Sequence, residues 1–412
     1  MQKTPPVCRF CRTPLRQTFV DLGMSPLCES FLPEEDLNRM EPFYPLKVWV
    51  CERCFLVQLQ EYVSPAEIFT EYAYFSSFST SWLKHAEAYA EMAAGRFGLG
   101  PGSRVVEIAS NDGYLLQYFV RKGIPVLGVE PAANVAKAAV EKGVPTVVRF
   151  FGRETAADLR KDPGPADLIV GNNVLAHVPD INDFVGGLGT LLAPEGAITM
   201  EFPHLWRLME ENQFDTIYHE HFSYLSFLTV REIFAAHRLR LFDVEQLPTH
   251  GGSLRIFACH DASRLSTQPA VGKLAAEEEA AGFRTLDRYL SFAPRVEETK
   301  RALLDFLIGA RRAGKRIAAY GAPGKGNTLL NYCGIRTDFV DFAVDRNPYK
   351  HGRFTPGTHI PIFPPERIRE TKPDYVFILP WNLKNEIVEQ LAYVRDWGAK
   401  FVIPIPRVEV IP

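Results

Sequence analysis

Residues 104–130, RVVEIASNDGYLLQYFVRKGIPVLGVE, constrain the fold more than any other stretch of the chain. They read as a short apolar strand, a turn of small and polar residues, a helix, and a second strand ending on Glu130. An acid, Glu107, closes the first strand, and Glu130 follows Asp112 by 18 residues. In a doubly wound α/β sheet this arrangement holds a nucleoside: the backbone approaches at the turn and the second carboxylate takes the ribose hydroxyls. Where a dinucleotide site would carry G-x-G-x-x-G, the turn reads Ala109-Ser-Asn-Asp-Gly113. Close passage of a pyrophosphate is not provided for, and Glu107 would repel one. A cationic, phosphate-free nucleoside suits the turn better, and S-adenosylmethionine is such a ligand. The plainer alternative is the strand-turn-helix of any α/β protein.

The alternation continues to residue 260. Strands are expected at 104–108, 126–129, 145–149, 166–171, 196–202, 239–246 and 253–259, with helices between the first five and before the sixth. Only residues 247–252, with PTHGG at their centre, join the last two strands, so these should form a hairpin and not a crossover. Five alternating strands followed by a terminal hairpin is the seven-strand arrangement of class I methyltransferases. Dehydrogenase domains keep a sixth parallel crossover instead.

A chain of 412 residues is too long for one ordinary core, so two or three domains are expected. Its net charge of -3 gives no electrostatic reason to expect nucleic acid or an anionic membrane as partner. The first ten residues, MQKTPPVCRF, lack the apolar core of a signal peptide, and apolar runs such as 375–379 have the length of a buried strand. Four of the seven cysteines fall in two pairs, Cys8-Arg-Phe-Cys11 and Cys51-Glu-Arg-Cys54. Such knuckles supply four thiolates for tetrahedral zinc, in a structural site holding together a piece too small and proline-rich to fold on its own core. A cytoplasmic location fits this better than a disulfide framework does.

Residues 72–80, YAYFSSFST, precede a helix expected over 81–97, and their dense hydroxyls suit a lid over a ligand as well as ordinary packing. Two further segments project from strand ends, where open α/β sheets bind ligands. One is Gly171-Asn-Asn-Val-Leu-Ala-His-Val-Pro179. The other, Ile217-Tyr-His-Glu-His-Phe-Ser-Tyr224, is the most unusual stretch in the protein. Its H-x-H with a glutamate suits acid–base work or a metal, but no metalloprotease or facial-triad spacing completes a coordination sphere.

Residues 263–313 read as a helical connector. A second α/β unit begins at Lys315: a strand at 317–320, the turn Gly321-Ala-Pro-Gly-Lys-Gly-Asn327, a helix, and a strand ending before Asp345-Arg-Asn347. Walker spacing is missing, yet three glycines and a lysine at a helix start make an anion pocket, with Lys325 and Arg346 facing a phosphate.

Together these motifs resemble the sugar C-methyltransferases, which use S-adenosylmethionine to methylate C3 of a dTDP-linked 4-keto-deoxysugar. The resemblance covers the four-cysteine module, E-I-A-S-N-D-G, Y-H-E-H, T-H-G-G-S-L-R at 249–255, G-A-P-G-K-G-N and the D-R-N-P that starts at Asp345. It implies three domains: a zinc module over 1–66, a class I methyltransferase domain with a helical lid over 67–262, and a connector with a Rossmann-like nucleotide-binding domain over 263–412. It places Tyr218, Glu220 and His221 near the reacting carbon, His177 on the loop after the fourth strand, and Tyr72 (or Tyr74) in the lid. Cofactor contacts fall on Glu107, Asn111, Gly113, Glu130 and Asn172, and the nucleotide diphosphate on Lys325, Asn327 and Arg346. The implied reaction removes the C3 proton with His221, oriented by Glu220, while His177 or Tyr218 stabilises the enolate. Methyl transfer to a non-sugar acceptor, or a nucleotide-sugar oxidoreductase using NAD, are the alternative readings.

Overall fold

The computed structural model describes residues 6–69 and 75–412. Two compact units emerge. The first comprises Cys51–Leu205, Glu220–Arg284 and the segment ending at Arg16; the second comprises Gln17–Val50, Trp206–His219 and Thr285–Pro412.

The first unit is built on a seven-stranded sheet. Its strands are β1 (Val105–Ile108), β2 (Val126–Val129), β3 (Thr146–Val147), β4 (Ala166–Asn172), β5 (Leu192–Pro203), β6 (Leu239–Leu247) and β7 (Ser253–His260). Their order across the sheet is β3-β2-β1-β4-β5-β7-β6. The first five are parallel, whereas β7 runs antiparallel to both β5 and β6. This is the class I methyltransferase sheet, ending in the hairpin that the short 247–252 connection dictates. Central strand β1 reads V-V-E-I and every one of its residues is buried, because helices cover both faces of a parallel sheet. Helix α1 (Thr80–Arg96) packs Ala86, Tyr89, Ala90 and Ala93 into that core, and the Ser79 hydroxyl caps it by accepting from the Trp82 amide. The strand pair Val57–Leu59 and Ser223–Tyr224 also belongs to this unit.

The second unit carries a six-stranded sheet: β8 (Ile317–Tyr320), β9 (Phe342–Val344), β10 (Ile362–Phe363), β11 (Tyr375–Ile378), β12 (Lys400–Ile403) and β13 (Glu409–Ile411). The order is β10-β9-β8-β11-β12-β13, parallel except for the last strand. Strand β8 therefore has β9 on one side and β11 on the other, a switch point of the kind at which α/β sheets bind ligands. An antiparallel hairpin, Gln17–Ser25 with Tyr44–Val50, completes the unit; Phe19 stacks on Phe292 with ring centroids 4.8 Å apart. Among the described residues no helix is long and apolar enough to cross a membrane.

Candidate active site

The two cysteine knuckles fold alike. In each, the amide four residues after the first cysteine donates to that cysteine's carbonyl (Arg12 to Cys8, Phe55 to Cys51, both 3.0 Å), and the donating residue takes positive φ. This turns the four sulfurs towards one point: Cys8 and Cys54 lie 3.6 Å apart, Cys11 and Cys51 3.5 Å, and all four within 4.8 Å. Four ligands at the zinc–sulfur distance on a tetrahedron have edges of about 3.8 Å. The donor set and its spacing fit zinc.

Beyond β1 the turn is held by three left-handed residues, Ala109 (φ 57°), Asn111 (φ 49°) and Gly113 (φ 74°). Glu130 ties it down: its carboxylate accepts from the Asn111 amide at 3.0 Å and the Ala132 amide at 2.9 Å. Burial raises its pKa, and those two amides oppose the shift. Gly113 is required by packing, since a Cβ there would stand 3.0 Å from a Val144 methyl. Glu107 is wholly buried, and only the Tyr114 hydroxyl stands against its carboxylate, short of good hydrogen-bond geometry. Burial holds its carboxyl well above the usual range, only partly offset by the Tyr114 hydroxyl. Two orphaned acceptors at the carboxyl end of the central strand fit an ammonium group, and Glu130 beyond them fits a diol. Asn172, at the end of β4, donates to the Tyr114 hydroxyl at 3.4 Å. The Ser76 amide reaches the Asn111 side chain at 2.9 Å, and Lys142 bridges Ser77 and Asp112, each at 2.8 Å. The segment leading into α1 is thus fastened to the cofactor turn. Tyr72 and Tyr74 lie outside the described residues.

His177 and His221 meet edge to face, with ring centroids 4.7 Å apart, and the Tyr224 ring also stands edge to face with His221, at 6.2 Å. Burial pushes the His177 pKa down to about 4, against the Glu220 carbonyl to which its ring donates. The imidazole is therefore neutral at pH 7. His219 is buried in the second unit with Tyr44, its Nε2 3.3 Å from the Pro45 carbonyl. Tyr218, half-buried, also belongs to the second unit, and the chain crosses between units after His219. The only metal-capable cluster among the described residues is the four-cysteine one.

A model of the C-methyltransferase C-terminal domain matches residues 248–406, a methyltransferase domain model residues 82–242, and a zinc binding domain model residues 8–69. C-methyltransferase NovU of Streptomyces niveus is 37% identical over 404 residues, which span 98% of this chain and 96% of that protein. The chain belongs to the C-methyltransferase family. Its methyl donor is S-adenosylmethionine, and its cysteine cluster is the zinc site. A ubiquinone biosynthesis O-methyltransferase of Rhodopseudomonas palustris (strain BisA53) is 28% identical over 160 residues, 34% of this chain and 61% of that protein. Among solved structures, an S-adenosylmethionine-dependent methyltransferase from Clostridium acetobutylicum ATCC 824 covers 43% of this chain and 92% of its own, with 11% identity and a TM-score of 0.36.

The C-methyltransferase also carries a charged cluster at the end of β5. Glu201, fully buried, accepts from Arg255 at 2.8 Å and from Thr249 at 2.9 Å, and lies 2.8 Å from the His85 Nε2. Burial works against its charge, but His85 and Arg255 prevail and hold its carboxyl below the usual range. Trp82 stacks on both His85 and Tyr114, at 4.9 and 6.0 Å. Thr249 and Arg255 stood out through T-H-G-G-S-L-R; Glu201, His85, Trp82 and Tyr114 did not. The available signal was an acid closing a buried strand, M-E-F, just as Glu107 closes β1.

In the second unit the three phosphate candidates do different things. Lys325 lies 4.6 Å over the Trp381 ring and donates to Asn382 at 2.8 Å; burial lowers its pKa, and Asp215 opposes that. Arg346 is exposed, with Glu386 at 3.9 Å. Asn327 turns inward and donates to the Cys28 carbonyl at 2.6 Å, so its amide braces the turn.

Proposed function

We propose that this C-methyltransferase acts at C3 of a dTDP-linked 4-keto-deoxysugar and that His221 is the base. The observation that carries the reading is the His177–His221 pair, an imidazole couple beside the methyl-donor domain's fourth strand in an enzyme that must make a carbon nucleophile. Carbon is methylated only once it holds an electron pair, and a ketone next door makes its proton removable by a group of near-neutral pKa. His221 takes the C3 proton, and the C–H pair becomes an enolate that forms the new carbon–carbon bond. S-adenosylmethionine supplies an electrophilic methyl on sulfur. Glu107 and Glu130 hold its ammonium and its ribose diol.

The charge developing on the keto oxygen needs a donor. A neutral His177 already gives its one N–H to the Glu220 carbonyl, so its other nitrogen is an acceptor. His177 therefore orients the ring of His221 and does not itself donate to the oxyanion. Glu220 fixes the same chain segment through that carbonyl. Lys325 and Arg346 take the diphosphate, and Asn327 holds the turn beneath it.

Mass spectrometry of the protein incubated with S-adenosylmethionine and a panel of dTDP-4-keto sugars tests the acceptor. One added methyl, placed on carbon, supports the reading. Donor binding with no methylated sugar rejects the acceptor while leaving the family assignment intact.

A further inference from the structure

Arg9 sits inside the first zinc knuckle, between Cys8 and Cys11, yet its side chain reaches away from the sulfurs. Its guanidinium donates to the Pro179 carbonyl at 2.6 Å and to the Leu59 carbonyl, and lies over the Phe222 ring at 5.4 Å. The Leu59 amide donates to the Phe222 carbonyl at 3.0 Å, and the Phe222 amide to the Ala176 carbonyl at 2.8 Å. Phe222 follows His221 directly, Ala176 precedes His177, and Pro179 lies two residues beyond it. One guanidinium therefore grips the backbone on both sides of the histidine pair. Arg9 is itself anchored at several points. Its amide donates to Gln58 at 2.8 Å, the Gln58 side chain donates to the Cys8 sulfur at 3.2 Å, and Asn182 donates to the Arg9 and Phe10 carbonyls at 3.1 and 2.9 Å.

We infer that Arg9 is a positioning residue of the C-methyltransferase, setting the separation of the His177 loop from the His221 strand and so making the zinc knuckle a brace on the acid–base pair. The choice of residue fits the task. Two carbonyls on different segments need donors in a rigid fork, which a guanidinium supplies and a lysine ammonium on a flexible stem does not. The inference rests on the acid–base reading of the pair.

The test uses full-length Arg9→Met and Arg9→Lys, with zinc content and S-adenosylmethionine affinity measured alongside turnover. Both variants are expected to keep one zinc per chain and wild-type donor affinity, and to lose roughly tenfold to a hundredfold in kcat with little change in KM. Because an ångström of misplacement also lets water reach the ring, the His177 resonance, assigned with His177→Gln, should titrate nearer to an ordinary imidazole in both variants. Arg9→Lys should recover part of both effects. Wild-type kcat with an unmoved His177 titration overturns the inference. So does loss of zinc in both variants, which would make Arg9 a folding residue of the knuckle. A His221→Asn enzyme that keeps turnover instead rejects the underlying acid–base reading, whatever the Arg9 variants do.

Discussion

The rings of His177 and His221 stand edge to face at 4.7 Å, and the amide of Phe222, next to one, donates to the carbonyl of Ala176, next to the other. One loop leaves β4 and the other precedes Ser223–Tyr224, so neither histidine is placed by local sequence alone.

The His177 pair carries a pH signature in stability. The folded-state pKa of His177 lies near 4, below that of an unfolded imidazole, so between these values the unfolded chain binds more protons. Stability is complete above about pH 6.5 and falls as pH drops towards 4. The loss attributable to His177 should be roughly 2 kcal/mol, below the full shift because the residue as a whole is half-buried. Urea unfolding at pH 7.0 and 4.5 should show a smaller difference for His177→Gln than for wild type. His219, lowered by burial too, works in the same direction and remains in both proteins.

Zinc should be worth more to the first unit than any single side chain. Chelation, or Cys54→Ser, is expected to lower Tm by several degrees and expose free thiols to titration, since the metal would hold both knuckles through all four sulfurs. Unchanged Tm and unreactive thiols after metal removal would count against a structural zinc.

Arg255→Met should be among the most damaging substitutions in the sheet. It strips Glu201 of its buried guanidinium, which typically costs about 3–5 kcal/mol. Adding Glu201→Gln should restore part of the loss, and a double-mutant cycle by urea unfolding measures how much.

Glu107 and Gly113 should separate binding from packing. Glu107→Gln is expected to weaken S-adenosylmethionine about tenfold by calorimetry, with stability held or raised, because it removes a buried acid whose charge no cation neutralises among the described residues. Gly113→Ala should instead lower stability by about 1–2 kcal/mol, through positive φ and the crowding of Val144.

The seven strands of the first sheet were legible because each is an apolar run with turn residues on both sides, and the hairpin followed from the brevity of 247–252. The same logic found β8, β9 and β11. It missed β13, three residues long and poorly buried, and the Gln17–Ser25 hairpin, whose QTFVDLGMS holds only an irregular alternation. Around the site, motifs singled out His177 and His221, but not that His219 turns to Tyr44 and Pro45. Nor did they reveal the Glu201–His85–Arg255 cluster. Charges read singly look like solvated surface, and only the fold shows that Glu201 and Arg255 pair in the core beside His85.

The most direct test of the central claim is deuterium wash-in at C3 of a dTDP-4-keto sugar, followed without methyl donor for wild type and His221→Asn. The wild-type enzyme should exchange the C3 proton, and the variant should not, while binding S-adenosylmethionine as tightly. Equal exchange by both proteins would remove His221 from the role of base.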